Sequence, residues 1–336
     1  MILITYGTRP EYIKVKPLID EMTRSNMTFK TLFTGQHKDI APKDADFNLT
    51  MVDYDGNRLD SVMKNCLSIP DECFEGITHI LVQGDTTSVV GLAIAAMHRK
   101  IKVVHLEAGL RTGDVENPFP EENNRMIVST IADLHLCPTK LNLKNLRNEN
   151  ISGSKIQVVG NTVLDNLLPY KKDCEYTNKV LITMHRRENH KQMGEWFNEL
   201  NDIAAVHPHL EFILPLHPNP NVQKHRKKLS SWVKVVEPMT HDELIKTLVK
   251  CRLVITDSGG IQEECSFFNK KALVCRKVTE RPESVGLTSF MVEEPKDLKG
   301  LFDKHINNYD VTSESPYGDG MSSKRICKIF ERYGIG

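Results

Sequence analysis

The chain has 336 residues, of which 40% are hydrophobic and 26% are charged, and its 44 basic and 44 acidic residues give a formal net charge of zero. These values are typical of a globular protein with two domains of ordinary size. The balanced charge argues against nucleic acid as the main partner, because proteins that bind nucleic acid normally present a strongly basic surface.

Neither a membrane partner nor a secretory route is predicted. No apolar run approaches the roughly 20 residues that a membrane-spanning helix needs, and the first six residues lack the basic start of a signal peptide and resemble a strand. The eight cysteines contain no CxxC pair, and Cys251, Cys265 and Cys275 lie in or beside apolar runs. This pattern favours buried reduced thiols over disulfides or a metal site, and so a cytoplasmic location.

Short apolar runs alternate with helical patterns through the first half of the chain. Helices are predicted at Pro10–Met22 and Val89–Met97. The predicted strands are Ile2–Thr5, Thr31–Phe33, Ile80–Val82, Val103–Leu106, Leu134–Cys137 and Ile156–Val159. Alternation of this kind implies parallel strands that are covered by helices on both faces.

The same pattern restarts after a polar, aperiodic segment at Lys171–Asp173, which is interpreted as a linker. Strands are predicted at Val180–Thr183, Phe212–Leu216, Val233–Val236, Leu253–Ile255 and Ala272–Cys275, and an amphipathic helix at Ser322–Tyr333. We therefore expect an α/β protein with two sequential domains and a cleft between them. The predicted domains are residues 1–170 and 171–319.

The stretch Val254–Glu264 joins a buried strand, a turn with paired glycines and a helix. Its helix N-terminus would present free backbone N–H groups to a phosphate. Ser258 adds a hydroxyl, and Glu264 follows one helical turn after Gly260, placed to accept hydrogen bonds from a sugar diol. The alternative is a turn whose glycines only satisfy backbone geometry.

Other polar side chains follow the predicted strands, where ligands bind in open parallel sheets. They are Arg9, Lys14, Asp85, Glu107 and Arg111 in the first half, and His185 and His217 in the second. Taken singly, Asp85 could cap the helix that starts at Thr86, Glu121 could pair with Arg125, and each histidine could be a hydrogen-bonded loop residue. Together, acids in one half and His, Arg and a glycine turn in the other predict a nucleotide-sugar site.

Several segments, in matching order and across nearly the whole chain, resemble the non-hydrolysing UDP-N-acetylglucosamine 2-epimerases. They are Gly7-Thr8-Arg9-Pro10-Glu11, Gly84-Asp85-Thr86-Thr87, His105 to Gly113, Pro118-Phe119-Pro120-Glu121-Glu122, His185-Arg186-Arg187-Glu188-Asn189, His217 to Pro220, Asp257 to Glu264 and Thr279 to Glu283. The resemblance implies a glycosyltransferase-B fold with two Rossmann-like domains, the first completed by a C-terminal helix at residues 320–336. It also implies inversion at C2 of a UDP-linked 2-acetamido sugar without a nicotinamide cofactor, in a homodimer.

The resemblance carries over a set of substrate-contacting residues: Arg9, Lys14, Asp85, Glu107, His185, Ser258, Gly259, Gly260, Glu264 and Arg281. Arg111 and His217 join this set from their places at strand ends. Glu121 belongs with Asp85 and Glu107 to the catalytic acids, and His185 assists the departing diphosphate. We interpret Asp85 and Glu121 as the pair that handles protons, with Glu107 in support, and expect crowding to raise one of the acids' pKa values.

The sequence departs from the family pattern in places. Lys43 stands where relatives that are activated by UDP-N-acetylglucosamine carry a glutamine, and the segments at 48–76 and 284–287 are short. The activator site and the exact sugar are therefore open, and a 6-deoxy sugar such as UDP-N-acetyl-L-rhamnosamine is one alternative. A hydrolysing 2-epimerase, a UDP-sugar glycosyltransferase and a nucleotide-sugar sensor without catalytic activity are the others.

Overall fold

A computed structural model describes residues 1–37, 45–116, 118–151, 155–311 and 313–336, so that Lys43 lies outside the described residues. The chain divides into two compact units, which we call the first and second unit. The first comprises Met1–Asn166 and Gly318–Gly336, and the second comprises Leu167–Tyr317. The sequence-based boundaries lie at 170/171 and 319/320, a few residues further along the chain.

The first unit is built on a seven-stranded parallel sheet with the order β3-β2-β1-β4-β5-β6-β7. Its strands are β1 (Ile2–Tyr6), β2 (Phe29–Phe33), β3 (Phe47–Asn48), β4 (His79–Gln83), β5 (Lys102–Leu106), β6 (Leu134–Cys137) and β7 (Lys155–Val158). Its helices are α1 (Arg9–Arg24), α2 (Arg58–Leu67), α3 (Thr87–His98), α4 (Glu121–Ile131) and α5 (Lys140–Asn148). All five residues of β1 are buried, which explains its continuous apolar run: helices cover both faces of the sheet.

The C-terminal helix α11 (Ser322–Tyr333) belongs to the first unit, as predicted. Its buried residues Ile326 and Phe330 share a hydrophobic core with Val15 and Leu18 of α1. The N–H groups of Ser322 and Ser323 donate to the Asp165 carboxylate at 3.0 and 2.6 Å, so this carboxylate caps the start of the helix.

The second unit contains a six-stranded parallel sheet with the order β10-β9-β8-β11-β12-β13. Its strands are β8 (Lys179–Thr183), β9 (Glu211–Pro215), β10 (Val233–Val236), β11 (Cys251–Thr256), β12 (Lys271–Val274) and β13 (Ser289–Met291). Its helices are α6 (Met193–Val206), α7 (Pro220–Gln223), α8 (His241–Leu248), α9 (Gly259–Phe267) and α10 (Leu298–Ile306). Trp196 and Phe197 of α6 pack with Phe212 and Phe302 in the core of this unit.

Every predicted strand is present within two residues of its expected bounds. The two short strands β3 and β13 were missed, because two or three residues are too few to show a period. All eight cysteines are free thiols, and seven of them are buried while Cys174 is partly exposed. Within the described ranges, no helix has the length and apolar character to cross a membrane.

Candidate active site

Asp85 follows β4 in a turn of the first unit, and its carboxylate is held by Arg125 of α4. Arg125 Nε lies 2.8 Å and Nη2 lies 2.6 Å from the same oxygen, Asp85 Oδ2. The alternative in which Asp85 caps the next helix is wrong, because the N-cap of α3 is Thr86, whose hydroxyl accepts from the Val89 N–H. The Asp85 side chain remains 29% exposed, so the carboxylate is anchored but still reachable by a ligand.

Glu107 follows β5 and is the point where three other segments of the first unit meet. Its Oε2 accepts from Lys14 Nζ and from Gln83 Nε2, both at 2.5 Å, and its Oε1 lies 3.4 Å from Asn161 Nδ2. The residue has a φ of +66°, in the left-handed region, which typically costs a non-glycine residue about 1–3 kcal/mol. A buried carboxylate that is matched to a cation at a strained backbone position is typical of a functional site.

Glu121 is the first residue of α4, where a carboxylate interacts favourably with the helix dipole. The alternative in which Glu121 pairs with Arg125 is wrong, since Arg125 pairs with Asp85 and with Glu122. Glu121 Oε2 is buried and has no hydrogen-bond partner among the described residues. A buried oxygen without a partner is costly, and a substrate hydrogen-bond donor would relieve that cost.

Two further predicted cations of the first unit have different surroundings. Arg9 is exposed at the first position of α1. Arg111 donates to both carboxylate oxygens of Glu149 at 2.6 and 2.7 Å and to Ser129 Oγ at 3.0 Å. The Arg111 guanidinium is therefore committed to neighbouring side chains, and these bonds would have to break before it could bind a substrate.

In the second unit, β11 leads through Asp257 into the N-terminus of α9, whose N-cap residue Ser258 makes no side-chain capping bond. The first N–H groups of this helix are thus available to an anion. Asp257 is fully buried and accepts from the backbone N–H groups of His185 and Arg186, each at 2.9 Å. This carboxylate therefore holds the His185 turn beside the start of α9.

The paired glycines at the start of α9 differ in what surrounds them. A Cβ on Gly259 would lie 2.8 Å from Glu280 Oε1 and 2.9 Å from Arg281 Nη1, so a larger residue there would force this buried ion pair to shift. A Cβ on Gly260 would meet nothing nearer than Ser258 Oγ at 3.9 Å. The open side of Gly260 leaves room for a ligand to approach the backbone closely.

Arg281 is buried behind this turn. Its guanidinium pairs with Glu263 and, at 2.5 Å, with Glu280 Oε1. Although burial opposes ionisation of Glu280, the cations Arg281 and Arg276 lower its pKa well below the ordinary value. Arg281 therefore packs against the glycine turn from the protein interior. It could contact a substrate only if one of its ion pairs with Glu263 or Glu280 were broken.

His185 and His217 stack with their ring centroids 5.1 Å apart and an angle of 15° between the rings. Burial is the main reason that the pKa values of both are lowered, so both are neutral near pH 7. A cavity of about 280 Å³ opens beside them at the ends of β8 and β9. It is lined by Thr183, Met184, His185, Pro215, His217, Pro238, Met239, Leu244, Ser258 and Ile261. Mostly apolar walls with a few polar groups suit a flat heterocyclic base.

Glu264 lies in α9 and is buried. Its Oε1 accepts from His241 Nε2 at 2.9 Å, and its Oε2 is buried without a hydrogen-bond partner among the described residues. The bond to Glu264 is the main cause that raises the pKa of His241. A carboxylate with one oxygen bound and one oxygen unused is suited to accept from a ligand hydroxyl.

Sequence reasoning missed the residues that hold the predicted ones in place. Gln83 and Asn161 contact Glu107, Arg125 contacts Asp85, and His241 contacts Glu264. Asp257 was noted only as part of the glycine motif, although the end of a buried strand was a signal that it anchors the turn. The other contacts join residues far apart in the chain, and no local pattern indicates them.

The two units, each a parallel sheet with helices between most of its successive strands, define an α/β protein of the glycosyltransferase-B fold class. Within that class the comparison with known sequences is specific. A sequence model described as UDP-N-acetylglucosamine 2-epimerase matches residues 20–331. The chain belongs to the UDP-N-acetylglucosamine 2-epimerase family, which is a family of enzymes.

Individual relatives span nearly the whole chain. The UDP-N-acetylglucosamine 2-epimerase of Campylobacter jejuni is 35% identical, with 98% of this chain and 96% of that protein covered. The enzyme of the same name from Salmonella borreze is 33% identical, with coverages of 98% and 97%. A crystal structure of UDP-GlcNAc 2-epimerase from Neisseria meningitidis, described as bound to UDP-GlcNAc, superposes with a TM-score of 0.87 at 33% identity and covers 98% of this chain and 99% of that one.

Proposed function

We propose that this chain interconverts UDP-N-acetylglucosamine and UDP-N-acetylmannosamine by elimination and re-addition of UDP. The sugar is taken from the names of the similar proteins and from the ligand of the Neisseria meningitidis structure. The observation that carries the proposal is the placement of the acids. One helix, α4, begins with Glu121 and holds the carboxylate of Asp85 through Arg125.

The proposed route avoids direct deprotonation of C2, which is slow because that carbon is not next to a carbonyl group. The C1–O bond breaks, and UDP leaves with the electron pair. A base removes the C2 proton, and the double bond of a 2-acetamidoglycal forms between C1 and C2. In the second half of the reaction, a proton is added to the other face of C2 and a UDP oxygen attacks C1. This re-addition completes the inversion.

The second unit has the groups that such a leaving nucleotide requires. The free N–H groups at the start of α9 and the Ser258 hydroxyl bind the diphosphate, and preorganised donors of this kind stabilise charge that develops on a leaving group. Neutral His185 donates to the same group. The cavity beside His217 takes the uracil, and the unused oxygen of Glu264 accepts from a ribose hydroxyl.

The acids of the first unit carry the proton transfers in this proposal. Asp85 and Glu121 act as base and acid, because proton removal and proton return occur on opposite faces of C2 and call for two groups. Glu107 stabilises the positive charge that develops at C1, and Lys14 keeps it in place.

Incubation of the enzyme with UDP-N-acetylglucosamine in D2O tests the proposal, with the products followed by NMR. We expect deuterium at C2 of a sugar that remains attached to UDP. Accumulation of free N-acetylmannosamine would instead show a hydrolysing epimerase, and UDP release that depends on an acceptor would show a glycosyltransferase. A panel that includes 6-deoxy UDP-sugars identifies the preferred substrate, and absence of exchange with every sugar would disprove the proposal.

We also propose a cytoplasmic homodimer. The free thiols suit a reducing compartment. Large apolar side chains are exposed on the neighbouring helices α3 and α4, namely Met97, Met126 and Ile127. Exposed apolar side chains on adjacent helices are a feature of many protein–protein contacts. Light scattering of the wild type should give twice the monomer mass, and Met126→Asp should shift it to the monomer mass.

A further inference from the structure

Helix α4 binds both the backbone and the side chain of Asp85. The side-chain amide of Asn124 donates to the Asp85 backbone carbonyl at 2.8 Å. Arg125 contributes Nε and Nη2 to the Asp85 carboxylate, and both nitrogens lie on Oδ2, at 2.8 and 2.6 Å. Backbone and side chain of Asp85 are thus fixed by consecutive residues of the helix that begins with Glu121.

Arg125 is itself held in place by Glu122. Its Nη1 donates to Glu122 Oε2 at 2.8 Å, and only 5% of Arg125 and 2% of Glu122 are exposed. The other carboxylate oxygen of Glu122 accepts from the backbone N–H groups of Thr112 and Gly113, each at 3.0 Å. The turn at residues 112–113 follows the segment that carries Glu107, so this series of hydrogen bonds connects the backbone segments of all three acids.

The two carboxylate oxygens of Asp85 therefore differ in their contacts with Arg125. Oδ2 receives both Arg125 nitrogens, whereas the side chain as a whole is still 29% exposed. The hydrogen bond from Nε and the ion-pair contact from Nη2 on this one oxygen restrain the orientation of the carboxylate and leave Oδ1 as the oxygen that Arg125 does not contact. Transfer of a proton to or from a carbon demands a restrained orientation, because reacting atoms must lie about 3 Å apart and be aligned.

We infer that Arg125 is a positioning residue that presents Asp85 Oδ1 to the C2 hydrogen of the substrate and fixes its spacing from Glu121. Glu122 holds Arg125 in that orientation. The inference rests on the proposed function, since it assigns a geometric role within the same reaction.

The test is Arg125→Lys, which keeps the positive charge but loses the planar fork that binds Oδ2 with two nitrogens. We expect kcat to fall about 100-fold, the loss typical of a misplacement of about 1 Å. The KM for UDP-N-acetylglucosamine and the Kd for UDP should stay within about twofold. In Arg125→Gly, added guanidinium ion should restore part of the lost kcat, which would not follow from a purely structural role.

Arg99→Lys is the matched control, because Arg99, the C-cap residue of α3, also places Nε and Nη2 on one oxygen, Asp71 Oδ1, at 2.9 and 2.5 Å, outside the candidate site. It should leave kcat unchanged. An unchanged kcat in Arg125→Lys would overturn the inference. A fall in kcat that is accompanied by a similar fold weakening of UDP binding and by a lower Tm, with no rescue by guanidinium, would also overturn the inference. Arg125 would then have a structural role.

A second measurement separates this inference from the proposed function. Carbodiimide modification of Asp85, followed by mass spectrometry, reports the Arg125 contact whether or not any sugar is turned over. We expect modification to be several-fold faster in Arg125→Lys than in the wild type and unchanged in Arg99→Lys. If the wild type catalysed no C2 exchange, the proposed function would fail, whereas equal modification rates would show that Arg125 does not restrain Asp85.

Discussion

His241 Nε2 lies 2.9 Å from Glu264 Oε1, and this single bond leaves the second carboxylate oxygen of Glu264 buried without a partner among the described residues. His241 is the N-terminal residue of α8, and Glu264 lies in α9. The pair thus joins two helices and turns one carboxylate oxygen into a candidate acceptor for a ribose hydroxyl.

The pair should make stability depend on pH. The bond to Glu264 raises the pKa of His241 above 6.5, so its stabilisation is fully present below about pH 6.5 and is lost as the pH rises through the folded-state pKa. The difference in free energy of unfolding between wild type and His241→Gln should therefore be largest near pH 6 and should shrink toward pH 8. Urea unfolding at several pH values measures it, and a constant difference would contradict the assignment.

Two buried histidines should have the opposite effect at acid pH. Burial lowers the pKa of His105 to about 4 and that of His135 to about 3, and the two residues are register partners on β5 and β6. Below about pH 6.5 only the unfolded chain takes up these protons, so each histidine lowers the free energy of unfolding by about 1.4 kcal/mol per pH unit.

His135→Phe should remove one of these contributions and flatten the fall in stability between about pH 6 and pH 4.5. Denaturant unfolding across that range is the measurement. His98→Gln, a change at an exposed position of α3, serves as the control and should keep the wild-type slope. A slope that does not change in His135→Phe would refute the prediction.

The neighbouring glycines of α9 should respond differently to alanine. Gly259→Ala places a Cβ 2.8 Å from Glu280 Oε1 and should lower Tm, because the buried ion pairs around it must shift. Gly260→Ala has room in the protein and should keep its Tm, yet weaken UDP binding by about tenfold, or about 1.4 kcal/mol. Gly260→Val should weaken it further. Calorimetry of unfolding and of UDP binding separates the two effects.

Lys14 and Glu107 should be strongly coupled. Lys14→Met leaves a buried carboxylate without its cation, which typically costs about 3 kcal/mol of stability and somewhat less here, since the Lys14 side chain is 21% exposed. The double variant Lys14→Met with Glu107→Gln should regain most of that stability but no activity. Chemical unfolding and the D2O exchange assay give both quantities, and a double variant as unstable as Lys14→Met would argue against the coupling.

The acids of the first unit should be needed for chemistry and not for UDP binding. Asp85→Asn and Glu121→Gln keep the size of each side chain and should abolish deuterium exchange at C2, while the Kd for UDP stays within about twofold. NMR and titration calorimetry are the measurements. Normal turnover by Asp85→Asn would show that the proton-transfer role belongs to another residue.

The sequence alone was sufficient for every strand except the short β3 and β13, and for most of the residues at the strand ends. Buried strands of a parallel sheet are continuous apolar runs, so Ile80–Val82 and Leu253–Ile255 are visible as local patterns. The glycine turn before α9 is equally local, because strand, turn and helix are adjacent in the chain.

Only the tertiary structure decided how those residues are used. In the folded protein Arg111 pairs with Glu149, Arg125 pairs with Asp85 and not with Glu121, and the Arg281 guanidinium lies next to Gly259. Each of these facts is a contact between a long side chain and a partner, and alternatives of similar local energy exist for every one. Which partner a buried charge finds depends on the packing of the whole unit, where an unpaired charge is costly, and no period or motif in the sequence encodes that choice.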